Sequence, residues 1–413
     1  MAEEELDSVA LDELPLEGVT VLDLTHLLAG PHCSMNLADL GARVIKIEPP
    51  AGEIARKRLP ARVDDEGDRL TAYFAATNRG KEDVVVDLKT PLGMQVLDRL
   101  LEKADVLVVN FRASALKRLR LDPEELRVRY PRLIVATVTG FGLEPASKKT
   151  ERPALAVVAE AESGVLHRLS KLTKYSPLGA IEHGFNIGDL VAGVTAAGAV
   201  CAALYRRERT GKGCWLDLSM AEALMALNGV RTAAVDFKDV STVKPGGLPF
   251  GIFDAADGAV VIGVNTDRFW VLLCEAMGTP DLAGDERFAT EQARHNNKPE
   301  VMEIVRVWAL QHPVQHIIDL LIDHGVPCSP VNSPEDVRES DIFRNRGALW
   351  EVDSGHGGTV TLPGNPMGFF KGREHSLRIP RLGEHTRAVL TELGFSEDEV
   401  ADVINGRPAA VRS

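Results

Sequence analysis

The sequence predicts an α/β fold, a Rossmann-like large domain built on a parallel sheet and joined to a smaller α/β domain. Three observations carry this. Short apolar, β-branched runs alternate with amphipathic stretches from Gly18 to Thr139, the pattern of strands with helical crossovers. Glycine and proline cluster at 244–251, ahead of a fresh strand-like run. At 413 residues the chain is also too long for one small core.

The first strand falls at 19–24, followed by the small-residue turn Leu28-Ala-Gly-Pro, a helix through Leu40 and a second strand at 43–47. That βαβ unit recurs as a strand at 84–88, a helix at 93–103, a strand at 105–110, a helix at 123–129 and a strand at 133–139. The first turn carries no GxGxxG, so a dinucleotide cofactor is disfavoured. A helix rich in small residues spans 190–209 and stops at Thr210-Gly211. Its apolar part, 190–205, is shorter than the ~20 residues of a membrane span, which makes it a buried core helix. Beyond 244–251 come a strand at 259–264, one helix over 299–324, a strand or loop at 326–331, and a last helix at 384–393. The predicted division is 1–225, 226–340 and 341–413.

Lysine and arginine number 47 against 60 aspartates and glutamates, a net charge of −13. Nucleic acid and anionic membrane are therefore set aside as partners, and an anionic ligand must be met by local cations. The five cysteines, at 33, 201, 214, 274 and 328, lack zinc or disulfide spacing. His312 and His316 have no third ligand in pattern, so no metal is expected. The acidic start, Met1-Ala-Glu-Glu-Glu-Leu-Asp, is not a signal peptide, and the cytoplasm is the expected compartment.

Seven segments in order give a more specific reading. They are Gly18-Val-Thr-Val-Leu-Asp-Leu-Thr with Ala29-Gly-Pro, Leu40-Gly-Ala-Arg-Val-Ile-Lys-Ile-Glu, Asn78-Arg-Gly-Lys with Val86-Asp-Leu-Lys-Thr, and Val109-Asn-Phe-Arg. Asn186-Ile-Gly-Asp with Arg206-Arg-Glu-Arg-Thr-Gly-Lys-Gly, Gly325-Val-Pro-Cys-Ser-Pro-Val and Leu382-Gly-Glu-His-Thr complete the set. Together they resemble the family III CoA transferases of the CaiB/BaiF type, whose relatives include α-methylacyl-CoA racemase. The resemblance implies a large domain completed by the C-terminal segment, and an interlocked dimer. It implies transfer of CoA from an acyl-CoA, with succinyl-CoA the expected donor, to a small carboxylic or dicarboxylic acid. CoA is then a co-substrate, and no cofactor is tightly bound.

The resemblance maps the family nucleophile onto Asp189. A carboxylate there can attack a thioester and split the exchange into easier steps. An aspartate ahead of a helix is also a favoured N-cap. The same resemblance puts Lys89, Asn110, Phe111, Arg112 and Arg118 near CoA, with Phe111 against the adenine. Lys171, Lys174 and His183 are candidates for a substrate carboxylate. Where many members carry an aromatic and an acidic residue before a Val-Ala-Gln-like run, this chain has Leu155-Ala156 and then Val157-Val-Ala-Glu. Leu28 stands near a position where formyl-CoA transferases have glutamine, which disfavours formate or oxalate. The alternatives are a racemase-type isomerase, which lacks the expected upstream histidine at 154–156, and a non-catalytic CoA-binding subunit of a heteromeric transferase.

Overall fold

Six strands with β-branched cores assemble into one parallel sheet: β1 (Thr20–Leu24), β2 (Arg43–Glu48), β5 (Lys81–Val85), β6 (Val106–Val109), β7 (Ile134–Thr139) and β8 (Cys214–Ser219). Their order, β5-β2-β1-β6-β7-β8, places β1 at the centre. Val21 pairs with Val44 of β2 on one side and Val106 of β6 on the other. The two numbers missing from this series belong to a small hairpin, β3 (Ala61–Val63) and β4 (Arg69–Thr71). The computed structural model describes residues 14–144, 147–148, 150–166, 186–237, 247–367 and 377–406, Arg231 by its backbone alone.

Successive residues of β1 face opposite sides, so Val21 joins one core cluster and Leu22 another. The first side is covered by α1 (Ala29–Asp39) and the second by α3 (Pro91–Lys103). Between and beyond these lie α2 (Ala72–Asn78), α4 (Ala113–Arg118), α5 (Pro123–Arg129), α6 (Ala156–Glu162), the long α7 (Ile187–Thr210) and α8 (Met220–Leu227). Both faces of a parallel sheet are thus buried.

The strand expected at 84–88 lies three residues earlier, at Lys81–Val85. Hydrophobic periodicity passes over its first half because that half is charged. The charges are nevertheless buried and paired: Lys81 Nζ lies 2.9 Å from Asp23 Oδ2, and Asp83 Oδ2 lies 3.0 Å from the Arg56 guanidinium. The small-residue helix is 24 residues long, beyond the expected 190–209, and by length and mean hydropathy it matches a membrane span. It instead lies along α1, with Ala192, Ala196, Val200 and Ala203 buried in the core. Near its end Arg207 pairs with Asp105 at 2.9 Å.

The chain divides into two compact units, one running to Thr232 and resuming at Arg346, the other from Ala233 to Asn345. The smaller unit holds an antiparallel sheet of β9 (Phe250–Asp254), β10 (Ala259–Gly263) and β11 (Cys328–Pro330). Its core gathers Trp270, Phe288, Val305 and Leu321 around the buried Arg294, which donates to the carbonyls of Leu248 and Phe288. The single helix expected at 299–324 is two, Lys298–Ala309 and Val314–Asp323. Pro313 starts the second, since it cannot donate to the turn before it.

After Arg346 the chain adds the hairpin β12 (Leu349–Asp353) and β13 (Thr359–Pro363), then the helices Thr386–Glu392 and Glu397–Asn405. His385 Nδ1 and Thr386 Oγ1 accept from the N–H groups of Asp83 and Val85. The outer edge of β5 is closed in this way.

Candidate active site

The strand order reverses between β1 and β6, and in an open parallel sheet the crevice beyond that point takes the ligand. A cavity of about 740 Å³ opens there. One wall is the β1–α1 loop. Asn110, at the end of β6, receives the His26 N–H at 3.1 Å and donates to the His26 carbonyl at 2.8 Å, tying the two strand ends together. Leu27 adopts a left-handed conformation, φ 67°, rare for a branched side chain. Its N–H is taken by Glu53 at 2.8 Å, and that bond holds the unusual turn.

The loop ends at Ala29, the first residue of α1, against which α7 packs closely. A Cβ on Gly193 would fall 2.8 Å from the Ala29 carbonyl oxygen, so only glycine allows this approach. The Ala29 N–H lies beside the Asp189 carboxylate and favours its charged form.

Asp189 is not the N-cap of its helix. Asn186, left-handed at φ 45° and ψ 45°, takes that place, and its side chain makes no capping bond. Glu160, buried in α6, supplies one instead: its Oε1 accepts the Gly188 N–H at 3.2 Å. Asp189 sits in the first turn, half-buried, where burial and the Glu160 charge push its carboxyl up to about 6, partly offset by the Ala29 N–H. Ala156, where a carboxylate is common in the resembled family, is buried and contributes a methyl group to the cavity wall.

Of the residues singled out from sequence, Asp189, Asn110, Phe111, Arg112 and Arg118 all line this cavity. Lys89 does not; it is exposed, beyond the end of the edge strand β5, with β2 between that strand and β1. The Asn110 amide serves the His26 backbone. His26 stacks on Phe111 with ring centroids 5.6 Å apart, and burial lowers the imidazole pKa, leaving it neutral at pH 7. Lys171, Lys174 and His183 lie outside the described residues.

Sequence reasoning missed Glu160 as the partner of α7, and it missed Arg58, Tyr73 and Arg152 in the cavity wall. Arg152 pairs with Glu162 and lies over the Phe141 ring. Its place directly before the Pro153 segment was the available signal. Outside the crevice, Asp64, Asp68 and His356 come within 4.8 Å of one another, but Arg381 donates to both carboxylates and offsets part of their charge.

The profile of CoA-transferase family III matches residues 16–386. The chain is 33% identical over 389 residues to the succinyl-CoA:mesaconate CoA-transferase of Haloarcula hispanica, covering 92% of this chain and 96% of that one. It is 31% identical over 391 residues to the succinyl-CoA:glutarate CoA-transferase of Mus musculus, covering 92% and 86%. Among solved structures, a CAIB/BAIF family protein from Brucella suis superposes with a TM-score of 0.77 at 30% identity, over 92% of this chain and 100% of that one.

Proposed function

We propose, since the chain belongs to CoA-transferase family III, that it moves CoA from succinyl-CoA to a small dicarboxylic acid through covalent intermediates on Asp189. The observation that carries this reading is the Asp189 carboxylate, aimed at the Ala29 N–H and exposed to a cavity walled by arginines at the reversal of strand order. The donor and the acceptor class are supported by the relatives named for succinyl-CoA with mesaconate, glutarate and D-citramalate.

An ionised Asp189 oxygen attacks the thioester carbonyl, the C–S bond breaks, and CoA leaves as thiolate with a mixed anhydride left on the enzyme. The thiolate then attacks the aspartyl carbonyl carbon. Succinate departs, and Asp189 carries CoA as a thioester. The acceptor carboxylate attacks that thioester and forms a second anhydride, again releasing thiolate. Attack of the thiolate on the acceptor's acyl carbon returns Asp189 as a carboxylate. No proton is gained or lost. The Ala29 N–H, which favours the charged form of the resting carboxylate, can donate to the oxyanion that forms on the aspartyl carbon. Arg112 and Arg118 meet the CoA phosphates, and each such contact contributes about 1.5–3 kcal/mol.

Asp189→Asn tests the assignment. The variant retains shape and an acceptor for the Ala29 N–H but cannot form the anhydride. It should stay folded, bind acyl-CoA and lose transfer by several orders of magnitude. In the wild type, hydroxylamine added with succinyl-CoA should modify the peptide containing Asp189. Near wild-type transfer by Asp189→Asn, in protein shown by mass to be free of deamidation, contradicts the mechanism. A homodimer of interlocked chains is the proposed assembly. Activity of the purified single chain separates it from a heteromer with a related subunit.

A further inference from the structure

The arginines of the cavity wall come from two sides. Arg112 and Arg118 follow β6, while Arg152, beyond β7, is already paired with Glu162. Arg58 comes from the opposite side, after β2. It ends a short 3-10 turn, Ile54–Lys57, around which Glu53 and Arg56 serve the fold, while Lys57 is exposed and outside the cavity wall. Glu53 takes the Leu27 N–H and pairs with Lys46 at 3.2 Å. Arg56 is buried and divided among Glu48, Asp83 and the Pro380 carbonyl. Thr71 donates to the Ala55 carbonyl at 2.7 Å. The Arg58 backbone is therefore fixed, whereas its exposed guanidinium has no hydrogen bond or ion pair among the described residues.

The same turn is joined to the reacting centre. Glu53 bonds Leu27 in the β1–α1 loop, and two residues later that loop supplies the Ala29 N–H to Asp189. A cation with a fixed root, no partner among the described residues and a place in the wall of the Asp189 cavity is suited to an anion other than the phosphates.

We propose that Arg58 receives the remote carboxylate of the acyl group, and so selects dicarboxylic donors and acceptors. This rests on the transferase reading above. Donor acyl and acceptor acid are each linked in turn to the Asp189 carbonyl carbon through an anhydride oxygen, so they occupy one pocket at different times. A single guanidinium then serves both, and its planar fork matches a carboxylate with two parallel hydrogen bonds. A four- or five-carbon diacid bound through one carboxylate at Asp189 presents the other carboxylate to Arg58.

The test uses the full-length wild type, Arg58→Gln and Arg58→Lys, with succinyl-CoA as donor and glutarate or valerate as acceptor. Valerate has the length of glutarate without the second carboxylate. The affinity for free CoA is read by calorimetry. The wild type should favour glutarate over valerate. Arg58→Gln should raise KM for succinyl-CoA and for glutarate by about ten- to a hundredfold, erase the preference over valerate and leave the affinity for free CoA unchanged. Arg58→Lys keeps the charge without the fork, and should fall between the two. Unchanged KM values in Arg58→Gln, or a loss of CoA affinity matching the rise in KM, overturn the inference and leave the transferase reading standing. A wild type that transfers CoA to neither acid overturns both.

Discussion

Glu160 and Asp189 bring two carboxylates to the start of one helix, although 28 positions separate Glu160 from Gly188, whose N–H it accepts. Asp189 is the proposed nucleophile; Glu160 holds a backbone N–H and repels charge on its neighbour. Raised to about 6 by burial first and Glu160 second, Asp189 is protonated and inert in acid. The kcat/KM for transfer should therefore fall as pH drops through about 6. Glu160→Gln keeps an oxygen for the Gly188 N–H and removes the charge, so the acid limb should move to lower pH with activity retained. A pH–rate profile in which the two limbs coincide would remove Glu160 from the electrostatics of the site. Asp189 is legible in the sequence because it falls within an ordered series of motifs. Arg58 lies in none of them, and the reach of Glu160 to α7 is a tertiary contact with no spacing to reveal it.

At the level of elements, the site depends on how closely α7 lies on α1. Gly193→Ala places a methyl group 2.8 Å from the Ala29 carbonyl oxygen and 2.9 Å from His32 Nδ1. The helices must part, at a cost of about 1–3 kcal/mol. The same movement draws Asp189 from the Ala29 N–H, so kcat should drop by more than the folded fraction does. Chemical denaturation and steady-state kinetics on one preparation separate the two effects; a normal kcat with normal stability would show that the contact relaxes freely. The small-residue character of this helix is plain in the sequence, but the helix it faces is not. For β5 the apolar pattern misleads, because Lys81 and Asp83 enter the core in ion pairs and extend the strand where periodicity shows only charge.

For the whole molecule, the alternation of strand and helix was enough to predict a parallel sheet with a second α/β unit, since each apolar strand had to be buried on both faces. The sixth strand escaped notice: β8 is only half-buried over most of its length and holds no continuous apolar run. The exposed face of α7 and its surroundings bears on assembly. Val194, Tyr205, Leu227 and Val230 are 48%, 70%, 65% and 82% exposed, a run of bare apolar side chains of the kind a second copy covers. The proposed interlocked homodimer should persist in sedimentation at nanomolar concentration, because threaded chains separate only by unfolding. A folded monomer at that dilution would disprove it.

The closure of β5 by His385 and Thr386 has a consequence for synthesis on the ribosome. The strands of the sheet and Asp189 all leave the exit tunnel before residue 220, whereas the groups that accept from Asp83 and Val85 emerge some 300 residues after their partners. From the emergence of β8 until that of His385 the nascent chain thus has Asp189 and five strand pairings within reach, yet it presents a bare sheet edge, the feature by which unfinished chains capture one another. A chain truncated ahead of residue 377 would keep that edge bare, so the segment at His385 and Thr386 is what covers it.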